Sequence, residues 1–466
     1  MLQTPILNLN QKDTWTLKDA CEGTQIFGGT GSGKTSGSGQ ALAKAFLTNG
    51  LGGLILTVKS DEKELWINYA KTCNREHDII CISDNTGVNN QYFNFLNYEL
   101  NRVGRGSGLT ENLVNLFITV ISTGDTFSGT NSYWLSTLKQ LLRNTIDLIT
   151  LATNKISVRD MYNVISTAPQ TIDEFNSEEW RETSTCWKYL EMAQKKVTKE
   201  NDKDKILDFE ITQNYWQTEF PHFDDKTRSI IVSMFTSRAD CFLRGVLRKI
   251  FCTDEANTLT PEDTFTGKII ILDLPKKEYE EIGQYAQILF KYIWQRAVER
   301  REVISETAPV FLWVDEAQYF YTEHDSLFQT TARSSRASSV YLTQNIPNYE
   351  SVLKGSNSYT KVQAFLGNLQ TKIFHANSDV ATNKYASQLI AQTYTNRQNT
   401  TQNGSNNQSY STQRVLEDQV LPKEFAELKN GGENNKNKVE AIIYQTGRKW
   451  ELNNGKNFAR VEFDQN

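Results

Sequence analysis

The sequence lacks the long apolar runs that cross a bilayer. Its continuous apolar stretches, such as residues 51–58 and 269–274, are far shorter than the roughly 20 residues that a membrane-spanning helix needs. The opening segment MLQTPILNLNQKDTW has neither a basic region nor a long apolar one, so no signal peptide is expected. We therefore expect a cytoplasmic protein without a membrane span of its own.

Cysteine and histidine are scarce. The chain has six cysteines and four histidines in 466 residues, with no CxxC pair and no histidines close together. This spacing excludes the usual zinc patterns and predicts reduced thiols rather than a disulfide framework.

An excess of positive charge is also absent. The chain has 50 basic and 55 acidic residues, a net charge of −5 and a pI of about 5.7. This balance argues against a broad basic face that holds nucleic acid by phosphate neutralisation, so any DNA contact must be local. With 38% hydrophobic and 23% charged residues the composition is that of an ordinary globular protein. The length favours one large domain with an insertion, or two domains.

One glycine-rich string carries a specific chemical signal. Residues 28–35 read GGTGSGKT, which satisfies G-x-x-x-x-G-K-[ST], and they follow a predicted strand and precede a predicted helix. Such a turn directs backbone N–H groups at phosphate oxygens, where the helix N-terminus also favours an anion. The motif predicts that Lys34 contacts the β- and γ-phosphates of ATP and that Thr35 ligates Mg²⁺. The predicted nucleotide-binding residues are Gly28, Gly29, Thr30, Gly31, Ser32, Gly33, Lys34 and Thr35.

A second motif supplies the carboxylates that such a site needs. In APVFLWVDEAQYF, residues 308–320, Asp315 and Glu316 follow a buried strand. We expect Asp315 to hold Mg²⁺ and Glu316 to orient and deprotonate the attacking water.

Polar residues around the next strand are further candidates. Gln344 ends SSVYLTQN and is predicted to sense the γ-phosphate or place the water. Arg333 and Arg336 lie just before that strand, on a helix or turn that we expect beside the site. Either arginine, Arg333 in first place, could serve a neighbouring subunit as an arginine finger, although a surface salt bridge is the ordinary role of an arginine.

The order of patterns along the chain predicts the fold. Strands and helices alternate in residues 1–99 and again in residues 261–466, whereas residues 100–260 show long amphipathic helical stretches. We therefore expect an α/β fold, a RecA-like P-loop NTPase core with a predominantly parallel sheet and an inserted all-α domain. Residues 393–413, almost entirely Asn, Gln, Ser and Thr, predict a flexible loop or exposed hairpin.

The motifs together resemble the type IV coupling proteins, the TraG/TraD group of conjugative DNA transfer, which are related to the FtsK and HerA translocases. The agreeing segments follow the same order and cover most of residues 20–465; they are GGTGSGKT, ILTVKSDEKEL, LWVDEAQYF, ARSSRASSVYLTQNIPNYESVLKG, KIFHANSDVATNKYASQLIAQTYT and RVLEDQVLPKEFAELKNGG. Members commonly carry two N-terminal transmembrane helices, and this sequence shows none.

The resemblance implies a motor that hydrolyses ATP with Mg²⁺ and delivers DNA, single- or double-stranded, to a type IV secretion machinery. It implies a homo-hexamer and partners among relaxase or relaxosome proteins, effectors, and the ATPases or membrane components of the secretion system. Residues 100–260 match the position of the family's cargo-recognising all-α domain. Any attachment at the inner membrane would come through partners.

Two alternatives share the same nucleotide chemistry. One is a soluble FtsK/HerA-like DNA translocase of a mobile element, which differs only in cargo and partners. The other is an adaptor that uses nucleotide as a switch and recruits partners without processive motion. Stimulation of turnover by DNA separates a motor from an adaptor.

Overall fold

The structure is a computed structural model, and it describes residues 2–9, 12–84, 91–121, 130–253, 257–353, 357–403 and 407–465. The side chains of residues 130–132 and 400–410 lie outside this description.

Thirteen strands form three sheets in the described part of the chain. Their bounds are β1 Pro5–Asn8, β2 Thr14–Thr16, β3 Thr24–Phe27, β4 Gly52–Leu56, β5 Ile79–Ser83, β6 Ile269–Asp273, β7 Val310–Val314, β8 Ala337–Thr343, β9 Thr371–Phe374, β10 Gln392–Asn403, β11 Asn407–Asp418, β12 Lys438–Gln445 and β13 Phe458–Asp464.

The central sheet has nine strands in the order β13-β12-β9-β3-β8-β7-β4-β6-β5. The seven strands from β9 to β5 are mutually parallel, and β12 and β13 add an antiparallel pair at the β9 edge. Parallel neighbours need crossover connections, which here are the helices on both faces of the sheet. The predicted α/β fold with a predominantly parallel sheet is confirmed.

Twenty α-helices accompany the sheets within the described residues. They are α1 Leu17–Ala20, α2 Gln40–Thr48, α3 Asp61–Thr72, α4 Phe95–Asn101, α5 Thr110–Ile121, α6 Thr130–Thr153, α7 Val158–Ser166, α8 Ile172–Asn176, α9 Glu178–Thr183, α10 Thr185–Glu200, α11 Lys203–Asn214, α12 Phe220–His222, α13 Asp225–Phe242, α14 Gly245–Phe251, α15 Lys276–Arg300, α16 Glu323–Ala332, α17 Ile346–Val352, α18 Ser358–Asn368, α19 Val380–Ile390 and α20 Pro422–Ala426.

Side chains of the parallel strands alternate between two cores. In β4, Leu54 and Leu56 belong to the core shared with the larger helical part, while Ile55 belongs to the core under α2 and α3. In β3, Ile26 and Phe27 divide in the same way. Because successive strand residues face opposite sides, near-continuous apolar runs such as these are what a sheet covered on both faces requires.

Between β5 and β6 the described residues form helices only, from α4 to α14. The long helical stretches expected in residues 100–260 are present, for example in α6 and α13. Helices α13 and α14 are separate because Arg244, with φ −128° and ψ 159°, leaves the helical path before Gly245. The use of residues 100–260 as a separate cargo domain stays a prediction, and positions 122–129 and 254–256 of it lie outside the described residues.

The polar segment 393–413 is an exposed hairpin, one of the two forms expected for it. Strands β10 and β11 pair antiparallel with each other from Gln392↔Asp418 to Asn403↔Asn407 and with no other described strand. Positions 404–406 lie outside the described residues. No described helix is both long enough and apolar enough to cross a membrane.

A buried ion pair lies next to the segment that follows the DE motif. Lys291 of α15 and Asp325 of α16 are fully buried and contact each other, and Lys291 Nζ also donates to the Phe320 carbonyl at 2.6 Å. Asp325 further accepts from Gln295 at 2.8 Å and from the Tyr341 hydroxyl at 3.2 Å. Burial raises the pKa of Asp325, but the Lys291 charge together with the hydrogen bonds from Lys291, Thr322 and Gln295 lowers that pKa. The pair thus fixes the end of the DEAQYF turn to two helices.

We expect Asp325→Leu to lower the free energy of unfolding by about 3–5 kcal/mol, because it leaves the Lys291 charge buried without a partner. The matched variant is Lys291→Met combined with Asp325→Leu, which removes both charges and should recover most of that loss. Urea unfolding followed by circular dichroism measures both. Equal destabilisation by the single and double variants would show that packing, and not the unpaired charge, sets the cost.

Candidate nucleotide site

Three neighbouring parallel strands bring the predicted site residues together at their carboxyl-terminal ends. Phe27 at the end of β3 pairs with Thr343 at the end of β8, and Val314 at the end of β7 pairs with Tyr341 of β8. The GGTGSGKT loop, the DE pair and Gln344 directly follow these strand ends. Because parallel strands end at a common edge, residues from three distant segments meet there.

The loop is shaped by its glycines and by close neighbours. Gly33 has φ +80°, and a Cβ there would lie 2.5 Å from a methyl carbon of Val439 in β12. A Cβ on Gly28 would lie 2.4 Å from the Ser32 hydroxyl. Any side chain at either position would therefore displace the loop. The Ser32 hydroxyl is buried without a hydrogen-bond partner, which leaves it available to an anion held by the loop.

The loop is also fixed from behind by a buried histidine. Ser38 Oγ lies 2.6 Å from His375 Nε2, and His375 Nδ1 lies 3.1 Å from the Glu440 carbonyl. Since a carbonyl only accepts, Nδ1 carries the proton and Nε2 accepts from the Ser38 hydroxyl. Burial lowers the pKa of His375 to about 4, so the ring is neutral. This contact ties the start of the helix after the loop to β9 and β12.

The two predicted metal ligands face each other. Thr35 Oγ1 donates to Asp315 Oδ2 at 3.3 Å, across 280 positions of sequence. Burial raises the pKa of Asp315, and the charge of Lys34 opposes this. Within the described ranges, no three His, Cys, Asp or Glu side chains are arranged so that they could hold a metal ion by themselves. One hydroxyl and one carboxylate fit Mg²⁺ in particular, because this ion usually keeps several waters and takes further oxygens from phosphates.

Glu316 is held in a strained and defined position. Its backbone is left-handed, with φ 45° and ψ 51°, which costs a non-glycine residue about 1–3 kcal/mol. Its carboxylate accepts from Gln318 Nε2 at 3.0 Å and from Gln344 Nε2 at 3.3 Å, and it lies 3.7 Å from Lys34 Nζ. Burial raises the pKa of Glu316, but these amides and Lys34 together lower it. Glu316 is therefore an ionised, oriented carboxylate.

Gln344 joins the two motifs directly. Its amide nitrogen donates to Glu316, while its amide oxygen accepts from Thr30 Oγ1 of the loop at 3.4 Å. The expected place for a group that senses a terminal phosphate or positions a water is between these two segments. The side chain of Gln344 occupies that place.

Arg333 and Arg336 do not lie beside this site within the chain. Both residues precede the start of β8, whereas the GGTGSGKT loop follows the end of the parallel strand β3. The expectation that the two arginines lie beside the loop is therefore wrong within a single subunit. Arg333 pairs with Glu22 at 3.4 Å on the rim of a polar cleft of about 430 Å³, and its side chain is 64% exposed. Arg336 donates to the carbonyls of Ser305 and Thr307. A role of Arg333 in a neighbouring subunit stays a prediction.

Sequence reasoning missed three residues around the DE motif. Gln318 links Glu316 to the end of β8, since its amide oxygen accepts from Thr343 Oγ1 at 2.7 Å. Glu62 accepts from Val58 N at 2.7 Å, and burial together with the Asp315 charge raises the pKa of Glu62 to about 8. Lys59 lies on the same loop after β4, where its charge acts on both carboxylates of the DE pair. The only sequence signal for the last two was the position of VKSDE directly after a buried strand.

One family model matches part of the chain. Residues 309–430 match the family model of the TraM recognition site of TraD and TraG. No curated protein matches the chain in sequence.

Solved structures match over nearly the whole chain. The unbound bacterial conjugative coupling protein TrwBΔN70 has a TM-score of 0.67 at 13% identity, covering 98% of this chain and 90% of that one. The plasmid coupling protein TrwB in complex with the GTP analogue GDPNP has a TM-score of 0.63 at 14% identity, covering 97% and 88%. TrwB in complex with ADP and Mg²⁺ gives 0.63 at 14%, covering 97% and 87%.

At these identities the structural matches show the fold, and the family match is a statement about sequence. The matched segment carries β7 with the DE pair, β8 with Gln344, β9 and the polar hairpin. A TraG/TraD segment within the fold of a conjugative coupling protein confirms the resemblance to the type IV coupling proteins.

Proposed function

We propose that this chain is a coupling protein that hydrolyses ATP with Mg²⁺ and uses the energy to move DNA, or a protein–DNA complex, towards a type IV secretion machinery. The observation that carries the proposal is the convergence of Lys34, Thr35, Asp315, Glu316 and Gln344 at one strand edge. Nucleotide and Mg²⁺ are supported by the TrwB complexes with ADP and Mg²⁺ and with nucleotide analogues.

Each residue has a distinct part in the proposed hydrolysis. The loop amides and Lys34 hold the phosphates, and Thr35 and Asp315 hold Mg²⁺, which when bound neutralises charge on the β- and γ-phosphate oxygens. Glu316 accepts a proton from the attacking water, and Gln344 keeps that water between Thr30 and Glu316. Phosphate binding would take Lys34 away from Glu316, so the carboxylate is released as the substrate arrives.

Partners follow from the family segment rather than from the nucleotide site. The match to the TraM recognition site supports a relaxosome protein as a partner. We propose that active chains form a homo-hexamer in which Arg333 of one subunit reaches the site of the next, and that components of the secretion system supply any contact with the inner membrane.

The adaptor reading makes the opposite prediction about turnover. We expect DNA to raise the steady-state ATP turnover of the purified chain several-fold, with a steep dependence on protein concentration if subunits complete each other's sites. Glu316→Gln is the matched control, because it keeps the shape of the site while lowering turnover by about 10²–10⁴ and sparing nucleotide binding. Turnover that ignores both single- and double-stranded DNA, with nucleotide binding intact, would favour the switch-like adaptor.

We expect Gln318 to affect turnover through its hydrogen bond to Glu316. We expect Gln318→Leu to lower turnover about tenfold and to shift the acidic limb of the kcat/KM profile to higher pH, because one hydrogen bond that lowers the pKa of Glu316 is lost. The control is Gln329→Leu, which removes a buried amide that donates to Ser339 at 2.8 Å instead. An unshifted acidic limb in Gln318→Leu, or the same shift in the control, would contradict this role.

Residues 100–260 are proposed to recognise the cargo. Both proposed phosphate-binding motifs lie outside this part, so a deletion variant that still folds should keep the phosphate contacts and bind nucleotide within about threefold of the wild type, although the deletion exposes the apolar side of the sheet that these helices cover. Titration with a fluorescent ATP analogue and a pull-down of a relaxosome protein by the excised part test the two halves. A folded deletion variant that cannot bind the analogue would refute the division.

A further inference from the structure

The hairpin β10–β11, which we call the polar arm, is unusual in its shape. Each strand has twelve residues, so the arm extends about 40 Å at 3.3 Å per residue. Described contacts that anchor it are at its base, where Gln419 N donates to Ala391 O at 3.2 Å and Asn457 donates to Ile390 O at 3.0 Å. An isolated two-stranded hairpin of this length is marginal in water without something to lie against.

The chemistry of the arm is as unusual as its shape. Residues 393–416 contain Arg397 and Arg414 and no aspartate or glutamate, in a chain with a net charge of −5. The carboxylates Glu417 and Asp418 are confined to the base, where Glu417 pairs with Arg397. Residues 396–414 therefore carry two arginines and no carboxylate, so a polyanion meets no like charge on this part of the arm, although Glu417 offsets the charge of Arg397.

One face of the arm collects the groups that contact nucleic acids. The register places Tyr394 opposite Leu416, Asn396 opposite Arg414 and Gln398 opposite Thr412, and these alternate positions share a face. The Arg414 guanidinium lies 4.2 Å from the centre of the Tyr394 ring, which holds it flat along that face. Arginine and side-chain amides donate to phosphates and to base edges alike.

The described side chains of the arm favour nucleic acid over a protein partner, even though the arm lies within residues 309–430, which match the model of the TraM recognition site. Protein–protein interfaces depend on a desolvated core of apolar anchors, whereas the exposed large apolar side chains on the described arm are Tyr394 and Leu416, both close to the base. Protein–DNA interfaces are polar and wet, and the major groove admits a two-stranded ribbon.

We propose that the polar arm is a DNA-binding ribbon that lies in a groove of duplex DNA, with Arg414 and the amides of its Tyr394 face contacting phosphates and base edges. The proposal rests on the proposed DNA-moving function and adds a specific contact to it. Because the acidic chain is not expected to have a broad basic face, any DNA contact must be local, and the arm provides such a contact.

The test shortens the arm without touching the nucleotide site. Replacing residues 396–414 by Asn-Gly joins Thr395 to Val415, a pair in the native register, through a two-residue turn that such a sequence favours. A second variant is Arg414→Gln. Its matched control is Arg460→Gln. Arg460 is another exposed arginine, which lies on β13 and pairs with Glu424 of α20.

Fluorescence anisotropy with a labelled duplex of about three helical turns, and with one strand of it, measures binding over a range of salt. We expect the shortened arm to bind duplex at least about tenfold more weakly, and Arg414→Gln to reduce the slope of log K against log salt by about 0.9. Arg460→Gln and the basal turnover of every variant should match the wild type.

The outcomes separate this proposal from the function on which it rests. If the shortened variant binds duplex with wild-type affinity, the arm is not a DNA-binding ribbon. The same holds if shortening the arm weakens self-association but leaves DNA binding intact. If DNA stimulates turnover equally in wild type and shortened arm, only the arm proposal fails. If DNA neither binds to the wild type nor stimulates it, the DNA-moving function fails as well. A loss confined to the single strand would also overturn the duplex assignment.

Discussion

Parallel pairing of β3, β8 and β7 is the constraint on which the rest of the structure depends. Strands that run the same way and stay in register must end together, so the loops that follow them meet although 314 positions of sequence separate Thr30 from Gln344. The helices on both faces, the two apolar cores and the insertion between β5 and β6 are different ways of covering or joining these strands. The composition of the site follows from these shared strand ends, because its hydroxyl, carboxylate and amide groups come from three separate motifs.

Electrostatics at this edge are balanced without a ligand. Lys34 lies 3.7 Å from Glu316 and its charge also acts on Asp315, while the raised pKa of Glu62, about 8, spares the neighbouring Asp315 a further negative charge at neutral pH. The strained backbone of Glu316 is compensated by three side-chain contacts of its carboxylate. The Glu316 carboxylate is thus held in position before any phosphate arrives, which is what the proposed role as a base requires.

Local signals predicted a large part of this arrangement. The strands before the glycine-rich loop and before the DE pair were predicted from the sequence, and the glycine spacing predicted the loop geometry that Gly33 now shows. The contacts of Lys59, Gln318 and His375 could not be predicted, because each depends on which strands are neighbours. The polar arm was predicted only as a choice between loop and hairpin, since Asn, Gln and Ser have little preference for strands. Arg333 was misplaced because closeness in sequence to Gln344 says nothing about which end of β8 a residue occupies.

The position of Arg333 has a geometric consequence for assembly. It lies at the starting ends of the strands, whereas the phosphate-binding loop lies at their finishing ends, about 20 Å away along a seven-residue strand. Two copies related by a twofold axis would have to present both ends of their sheets to one another at the same time. A contact that joins the two ends instead repeats head to tail, and repeated rotation of that kind closes into a ring or continues as a helical filament. If Arg333 serves a neighbouring subunit as proposed, the angle between neighbouring sheets decides which of these forms, so packing at the Glu22 cleft would set the number of subunits.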